Sequence, residues 1–318
     1  MRRWAALLAA VGLTGGCALG TGDDRSRAEE LAAQYFPGQL SVLGARNLFP
    51  ETTGSEITFA LTGDPDAVVR LRVDTKKGLC NGKSCEVELR RVVEQGRQAA
   101  QTWRRIAGAL RGCGHEPIGA DERLGQVWVE GEPANATIGG LMAKLGGCLP
   151  DLPITVNFAA PAVAAKRPKI DPKLPMLLQL TGSKTQAALS AKTYLAASFA
   201  QRDAATRTRE SSARLVRPFE EREKFRMRVE AAAGAWLAAN RPGDTIGRGM
   251  SLWRLRPGTV DRLVGFVLFC NGKVQECLGT SENAVLMTVD PQGNPVGEMR
   301  VVENVRNAQG RLELPYPV

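Results

Sequence analysis

Residues 56–73 read EITFALTGDPDAVVRLRV, and this stretch decides the fold class. Ile57, Phe59 and Leu61 alternate with Thr58, Ala60 and Thr62. Beyond a Gly-Asp-Pro-Asp turn, Val69, Leu71 and Val73 alternate with Arg70, Arg72 and Asp74. A period of two with one apolar and one polar set is an antiparallel hairpin that lays one face on a core and shows the other to water. On either side the period changes. Ala28 to Tyr35 spaces its apolar residues as a short helix stopped by Pro37-Gly38. After Cys85, the positions Leu89, Val92, Val93, Ala99, Ala100, Trp103, Ile106, Ala107 and Leu110 recur at three- and four-residue steps. They form one face of a long helix, with Arg90, Arg97, Arg104 and Arg111 outside it. Helices mixed with hairpins in this way predict an α+β fold, with helices packed on small, mainly antiparallel sheets.

Gly112 ends the long helix and Cys113 follows. Val127 to Val129 is a short strand, Ile138, Leu141, Met142 and Leu145 mark a helix closed by Gly146-Gly147, and Ile154 to Phe158 is a further strand. A strand–helix–strand run makes its two strands parallel. Two helices running the same way on one face bring their carboxyl ends together, and with them Cys113 and Cys148. Residues 159–176 carry four prolines and scattered lysines that deny both periodicities, so they predict a linker between domains. Beyond it, 187–201 and 219–239 read as helices, the second with Phe225, Val229, Ala232 and Trp236 on one face. Strands are expected near 250–256, 262–270, 284–290 and 296–302. The resulting division is a signal segment at 1–17, a tether at 18–26, one α+β domain at 27–158, the linker, and a second α+β domain at 177–318. Cys-Asn-Gly-Lys recurs at 80–83 and 270–273, each time after a helix and a pair of strands. Asn-Gly turn chemistry explains the tetrapeptide alone, whereas the shared order of elements points to a diverged duplication.

The first twenty residues, MRRWAALLAAVGLTGGCALG, have a charged start at Arg2 and Arg3 and an apolar run from Trp4 to Leu13 that is too short to span a bilayer. Small residues then lead to Cys17. This predicts export, with Cys17 as the lipidated first residue of the mature chain and the protein extracytoplasmic and held to the membrane through that lipid. Thr14 stands where a leucine is usual, and cleavage after Gly20 is the alternative. Setting Cys17 aside leaves six of the seven cysteines, an even set in an oxidising compartment. Proximity and the predicted elements pair them as Cys80–Cys85, Cys113–Cys148 and Cys270–Cys277. The Cys-x4-Cys and Cys-x6-Cys spacings and a single histidine, His115, do not make a zinc pattern, and no metal or other cofactor is expected.

The 318 residues, 43% apolar and 24% charged, are enough for two globular domains. A formal charge of +9, about +7 without Arg2 and Arg3, favours anionic headgroups or anionic wall polymers over nucleic acid outside the cytoplasm. The densest charge, nine cations against five acids, lies at Arg202, Arg207, Arg209, Arg214, Arg217, Arg222, Lys224, Arg226 and Arg228. It is either a docking strip for such a partner or a solvated helix face. Catalytic signatures are missing. No Gly-x-Ser-x-Gly or Ser-x-x-Lys is present, and His115 sits in a loop-like Arg-Gly-Cys-Gly-His-Glu-Pro context. The fragments Gly82-Lys83-Ser84 and Gly182-Ser183-Lys184-Thr185 lack the phosphate-loop spacing.

The Thr-Gly-Gly-Cys ahead of residue 18 and the blocks CNGKSC, GCGHEP and NATIGGLMAKLGGC resemble actinobacterial lipoproteins. The resemblance covers mainly the amino-terminal half and implies location, not activity. The expectation is therefore a non-enzymatic binding or interaction module at the cell surface. The alternatives are a wall-associated hydrolase with a carboxylate pair hidden in the sequence, and a structural partner of a membrane-protein complex docked through the arginines of 202–228.

Overall fold

The computed structural model describes residues 21–206, 208–271 and 282–315, which leaves Cys17, Arg207 and Cys277 outside the described residues. The fold is α+β, as the sequence predicts. Its helices pack with three sheets of four, five and four strands, and one strand pairing among the described residues is parallel. The chain divides into two compact units between Gln98 and Ala99, within a helix.

In the first unit, α1 (Thr21–Tyr35) precedes an antiparallel meander of β1 (Leu40–Asn47), β2 (Ser55–Leu61), β3 (Asp64–Asp74) and β4 (Leu79–Cys80). Helix and meander are joined by Phe36-Pro37-Gly38-Gln39. The Gln39 N–H donates to the Phe36 carbonyl at 3.0 Å while Gly38 holds φ +70°, so proline and glycine occupy the two central positions of a type II turn. The predicted hairpin is present, with Ile57 opposite Leu71 and Phe59 opposite Val69, all four buried. The predicted tether is a correction, because from Thr21 onward it is helix. Asp24 is only 5% exposed and accepts hydrogen bonds from Ser55 Oγ at 2.7 Å, from the Thr75 N–H at 2.8 Å and from Thr75 Oγ1. Asp23-Asp24 reads locally as polar tether, but acids also suit the first turn of a helix, and the partners of Asp24 lie 31 and 51 residues away.

A disulfide joins Cys80 to Cys85 across Asn81-Gly82, both of which have positive φ as a tight hairpin turn requires. It delivers the chain into α2 (Cys85–Gly112), whose buried residues Leu89, Val92, Val93, Ala100, Trp103, Ile106, Ala107 and Leu110 are the stripe the spacing predicts. Near its start, the Glu88 side chain is buried and ion-paired with Arg91, and it accepts a hydrogen bond from Asn81 Nδ2 at 3.1 Å. The Arg91 guanidinium, more than anything else, holds the Glu88 carboxyl below its ordinary value of 4.5 against the opposing effect of burial. Because folding lowers this pKa, the stabilisation is complete above pH 4.5 and is lost as the pH falls through the lowered value. Glu88→Gln is therefore expected to flatten the loss of stability on acidification. Urea midpoints measured from about pH 6 down to about pH 3 check this, and an acid limb parallel to that of the unaltered protein would refute it.

The second unit begins within α2 and holds two sheets. The five-stranded one runs in the order β5 (Pro117–Ala120), β6 (Gln126–Glu130), β7 (Ile154–Ala159), β8 (Tyr194–Phe199) and β9 (Ser211–Val216). Helix α3 (Asn135–Cys148) connects β6 to β7, which are parallel as expected. Residues 159–176 do not separate two domains. They connect β7 to β8, its antiparallel neighbour in the same sheet, so the proline-rich segment is internal to this unit. It contains α4 (Pro161–Ala164), whose Val163 and Ala164 are buried with Ile118, Trp128 and Leu189; α5 (Met176–Leu180) and α6 (Ser183–Leu189) follow. Proline is compatible with the first turn of α4, and a connection that covers a sheet needs no long period, which is why composition misread it. The helix predicted over 187–201 is likewise corrected. Only its first residues belong to α6, and 194–199 form β8 because β7 and β9 pair with it on both sides, overriding an alanine-rich local preference.

The last sheet is an antiparallel meander of β10 (Asp244–Leu255), β11 (Leu263–Asn271), β12 (Asn283–Val289) and β13 (Arg300–Val302), preceded by α7 (Phe219–Asn240). The stripe Phe225, Val229, Ala233 and Leu237 packs on it, with Ala232 and Trp236 at the margin. Arg241-Pro242-Gly243-Asp244 repeats the turn that follows α1: Asp244 N–H donates to the Arg241 carbonyl at 3.2 Å and Gly243 has φ +99°. The likeness of the halves thus lies in helix, Pro-Gly turn and meander. The recurring tetrapeptide does not carry it, since Cys80 ends the fourth strand of its meander and Cys270 lies at the end of the second of its own.

Candidate functional site

Strand β9 ends at Val216, and Arg217-Pro218 turns the chain straight into α7. Proline stands just ahead of the first helical residue, where its missing N–H has no partner to lose. Against this corner lies the turn between β12 and β13, Asp290-Pro291-Gln292-Gly293-Asn294. The Asp290 carboxylate knots it by accepting from the Gln292 and Asn294 N–H groups, both at 2.9 Å, and from Asn294 Nδ2 at 2.7 Å. Gly293 has φ +91°, and a Cβ there would come within 3.1 Å of Phe225 Cδ2 and 3.2 Å of Val229 Cγ1, so glycine alone lets the turn sit down on α7.

Between corner and turn is a cleft of about 330 Å³ lined by Lys192, Thr193, Arg217, Glu221, Lys224, Phe225, Arg228, Pro291 and Gln292. Arg217 is half-buried. Its Nη2 donates to the Pro291 carbonyl at 2.9 Å and its guanidinium lies 3.9 Å from the centre of the Phe225 ring. Burial pushes its pKa down, but an arginine stays charged. Arg228 Nη1 donates to the next carbonyl, that of Gln292, at 2.9 Å. Lys224 is exposed and makes no hydrogen bond or ion pair among the described residues. The one carboxylate of the lining, Glu221, is already held by the Thr193 N–H at 2.8 Å, by Thr193 Oγ1 at 2.5 Å and by Lys192 Nζ at 3.1 Å. Burial opposes its ionisation, yet these donors keep the carboxyl below its ordinary range. Among the described residues, four cations against one committed carboxylate leave the cleft strongly positive. No protein family, curated protein or solved structure matches this chain. The cleft therefore has to be read from its own chemistry.

The structure breaks up the predicted basic strip. Arg217, Lys224 and Arg228 meet in the cleft, where Lys192 joins them from outside the strip. Arg202 and Arg209 bind backbone carbonyls at and just beyond the carboxyl end of α3: Arg202 Nη2 reaches Gly146 at 3.2 Å, and Arg209 Nη1 and Nη2 reach Leu149, the cap residue, at 3.2 Å and Leu152, in the loop after it, at 2.6 Å. Both guanidiniums thereby offset the negative end of the helix dipole. Arg226 is paired with Glu223 at 2.8 Å and Glu230 at 2.9 Å, Arg222 lies over the Phe219 ring, and Arg214 is exposed on β9. One-dimensional charge density could not separate helix-capping arginines from cleft arginines. Nor could it find Lys192 or the carbonyls of 291–292, which come from remote parts of the chain.

Of the predicted disulfides, Cys80–Cys85 and Cys113–Cys148 are formed. Cys270 is disulfide-bonded, while Cys277 and Cys17 lie outside the described residues. His115 sets its ring edge-on to Phe158 at 5.8 Å between centroids, and burial, helped by Lys144, lowers its pKa. Among the described residues no cluster of three His, Cys, Asp or Glu side chains could hold a metal ion, and no helix is long and apolar enough to cross a membrane.

Proposed function

We propose that this chain is an extracytoplasmic binding module, anchored by lipid at Cys17, whose basic cleft takes an anionic group presented at the cell surface. The observation that carries this reading is Arg217: a half-buried guanidinium whose nearby carboxylate, Glu221, is already held by Thr193 and Lys192, in a lining that also offers Lys224 and Arg228. A partly desolvated cation that shares its counter-charge with other donors is only partly compensated, and an anionic ligand completes the compensation. The wall-hydrolase alternative finds no paired carboxylates in this cleft, since Glu221 stands there alone and is engaged.

Co-sedimentation with vesicles containing phosphatidylglycerol is expected to exceed that with neutral phosphatidylcholine vesicles and to fall as salt is raised. Reversing Lys224 and Arg228 together to glutamate should weaken it at least about tenfold, since each basic group near an anionic surface contributes about 1 kcal/mol. Equal, salt-independent binding to neutral and anionic vesicles would refute the reading. For the anchor, incorporation of a clickable palmitate analogue should disappear in Cys17→Ala.

A further inference from the structure

Within that reading, on which this step rests, we infer that the cleft recognises a phosphate group as such, a phosphomonoester or phosphodiester oxyanion, and that the 290–294 turn is the element that positions its two arginines. Consecutive carbonyls of the turn, Pro291 and Gln292, each take one N–H, from Arg217 and from Arg228 respectively, at 2.9 Å. A guanidinium has about five N–H donors, so both arginines keep most of theirs, and Lys224 adds an ammonium that has no partner among the described residues. A carboxylate has two oxygens and satisfies a single fork. A tetrahedral phosphate offers three or more oxygens in different directions and can engage two guanidiniums and an ammonium together. The Phe225 ring under Arg217 supplies a wall that keeps the planar guanidinium in one orientation. About 330 Å³ is more room than a bare phosphate needs and fits one that carries a small alcohol such as glycerol.

The turn is held from within and by the helix beneath it. Asp290 closes it, and Gly293 seats it against Phe225 and Val229. Positioning of the guanidiniums therefore passes through a glycine that faces the helix and touches no ligand.

The test is isothermal titration of the purified protein with glycerol 3-phosphate and, separately, with glycerate, which is close in size but carries a carboxylate. Glycerol 3-phosphate is expected to bind at least about tenfold more tightly than glycerate. Arg217→Lys keeps the charge but loses the fork and should weaken phosphate binding about tenfold; Lys224→Gln, at an exposed side chain with no partner among the described residues, should do so several-fold without touching the fold. Gly293→Ala should weaken it several-fold, and an unchanged affinity would overturn the positioning role of the turn. Vesicle binding in the same preparation separates the two levels. If vesicles bind through Lys224 and Arg228 but the two small anions bind equally or not at all, the phosphate assignment is overturned and the anionic module stands. If neither vesicles nor small anions bind, both fall. Competition by glycerol 3-phosphate against phosphatidylglycerol vesicles would assign the phosphate to lipid headgroups. Tight glycerol 3-phosphate binding without vesicle binding would assign it to a soluble or polymeric glycerol phosphate.

Discussion

Replacing Cys113 and Cys148 together by alanine is expected to lower the unfolding free energy by about 4 kcal/mol. The bond closes a 35-residue loop, and the chain-entropy relation that gives this figure grows with loop length; for Cys80–Cys85, with a separation of five, it gives about 2 kcal/mol. The bond also sits at a junction of structure. Cys113 follows α2, Cys148 ends α3, and the β5–β6 hairpin and α3 lie inside the loop it closes, with the parallel partner strand β7 just beyond it. Arg202 and Arg209 hold the same end of α3 through its carbonyls, so the double variant should keep its secondary structure while losing stability. Urea unfolding followed by circular dichroism measures this. A change below about 1 kcal/mol would show that those arginines alone fix the helix end.

Asp24→Ala should cost about 3 kcal/mol, the second-largest effect. A buried carboxylate in the first turn of α1 gathers the Ser55 hydroxyl, the Thr75 hydroxyl and the Thr75 N–H, tying the helix to β2 and to the loop beyond β3. Hydrogen bonds to a charged acceptor are the stronger kind, and removing the acceptor leaves the buried Ser55 hydroxyl without the partner it has in the native fold. Asp24→Asn keeps an acceptor oxygen and should cost clearly less. Equal losses for the two variants would mean that space-filling, not hydrogen bonding, is what Asp24 contributes.

Asp24 also shows how far the sequence could be read. The long helix was legible because its burial repeats every three or four residues over 28 positions, and the hairpin because Ile57, Phe59, Val69 and Leu71 alternate cleanly. Two disulfides were legible because cysteines stand at the ends of recognisable elements. What escaped was decided by partners far away in the chain. Residues 21–26 resemble tether until Ser55 and Thr75 are known, and 194–199 resemble helix until β7 and β9 flank them. The cleft was half legible. Arg217, Lys224 and Arg228 were in view as charge, but what makes them a site is the turn at 290–294 and the ring of Phe225, and neither stands out in a count of cations.

The route of residues 159–176 between two paired strands has a practical consequence. A chain ended at Pro175 would keep β5, β6 and β7 but lose β8, the strand that satisfies the N–H and C=O groups along one side of β7. That side would become a bare sheet edge carrying the otherwise buried Ile154, Val156 and Phe158, a template for a strand from a second copy. Such a fragment should aggregate when expressed. Fragments of this protein are better divided where a strand leaves no partner behind than where prolines accumulate.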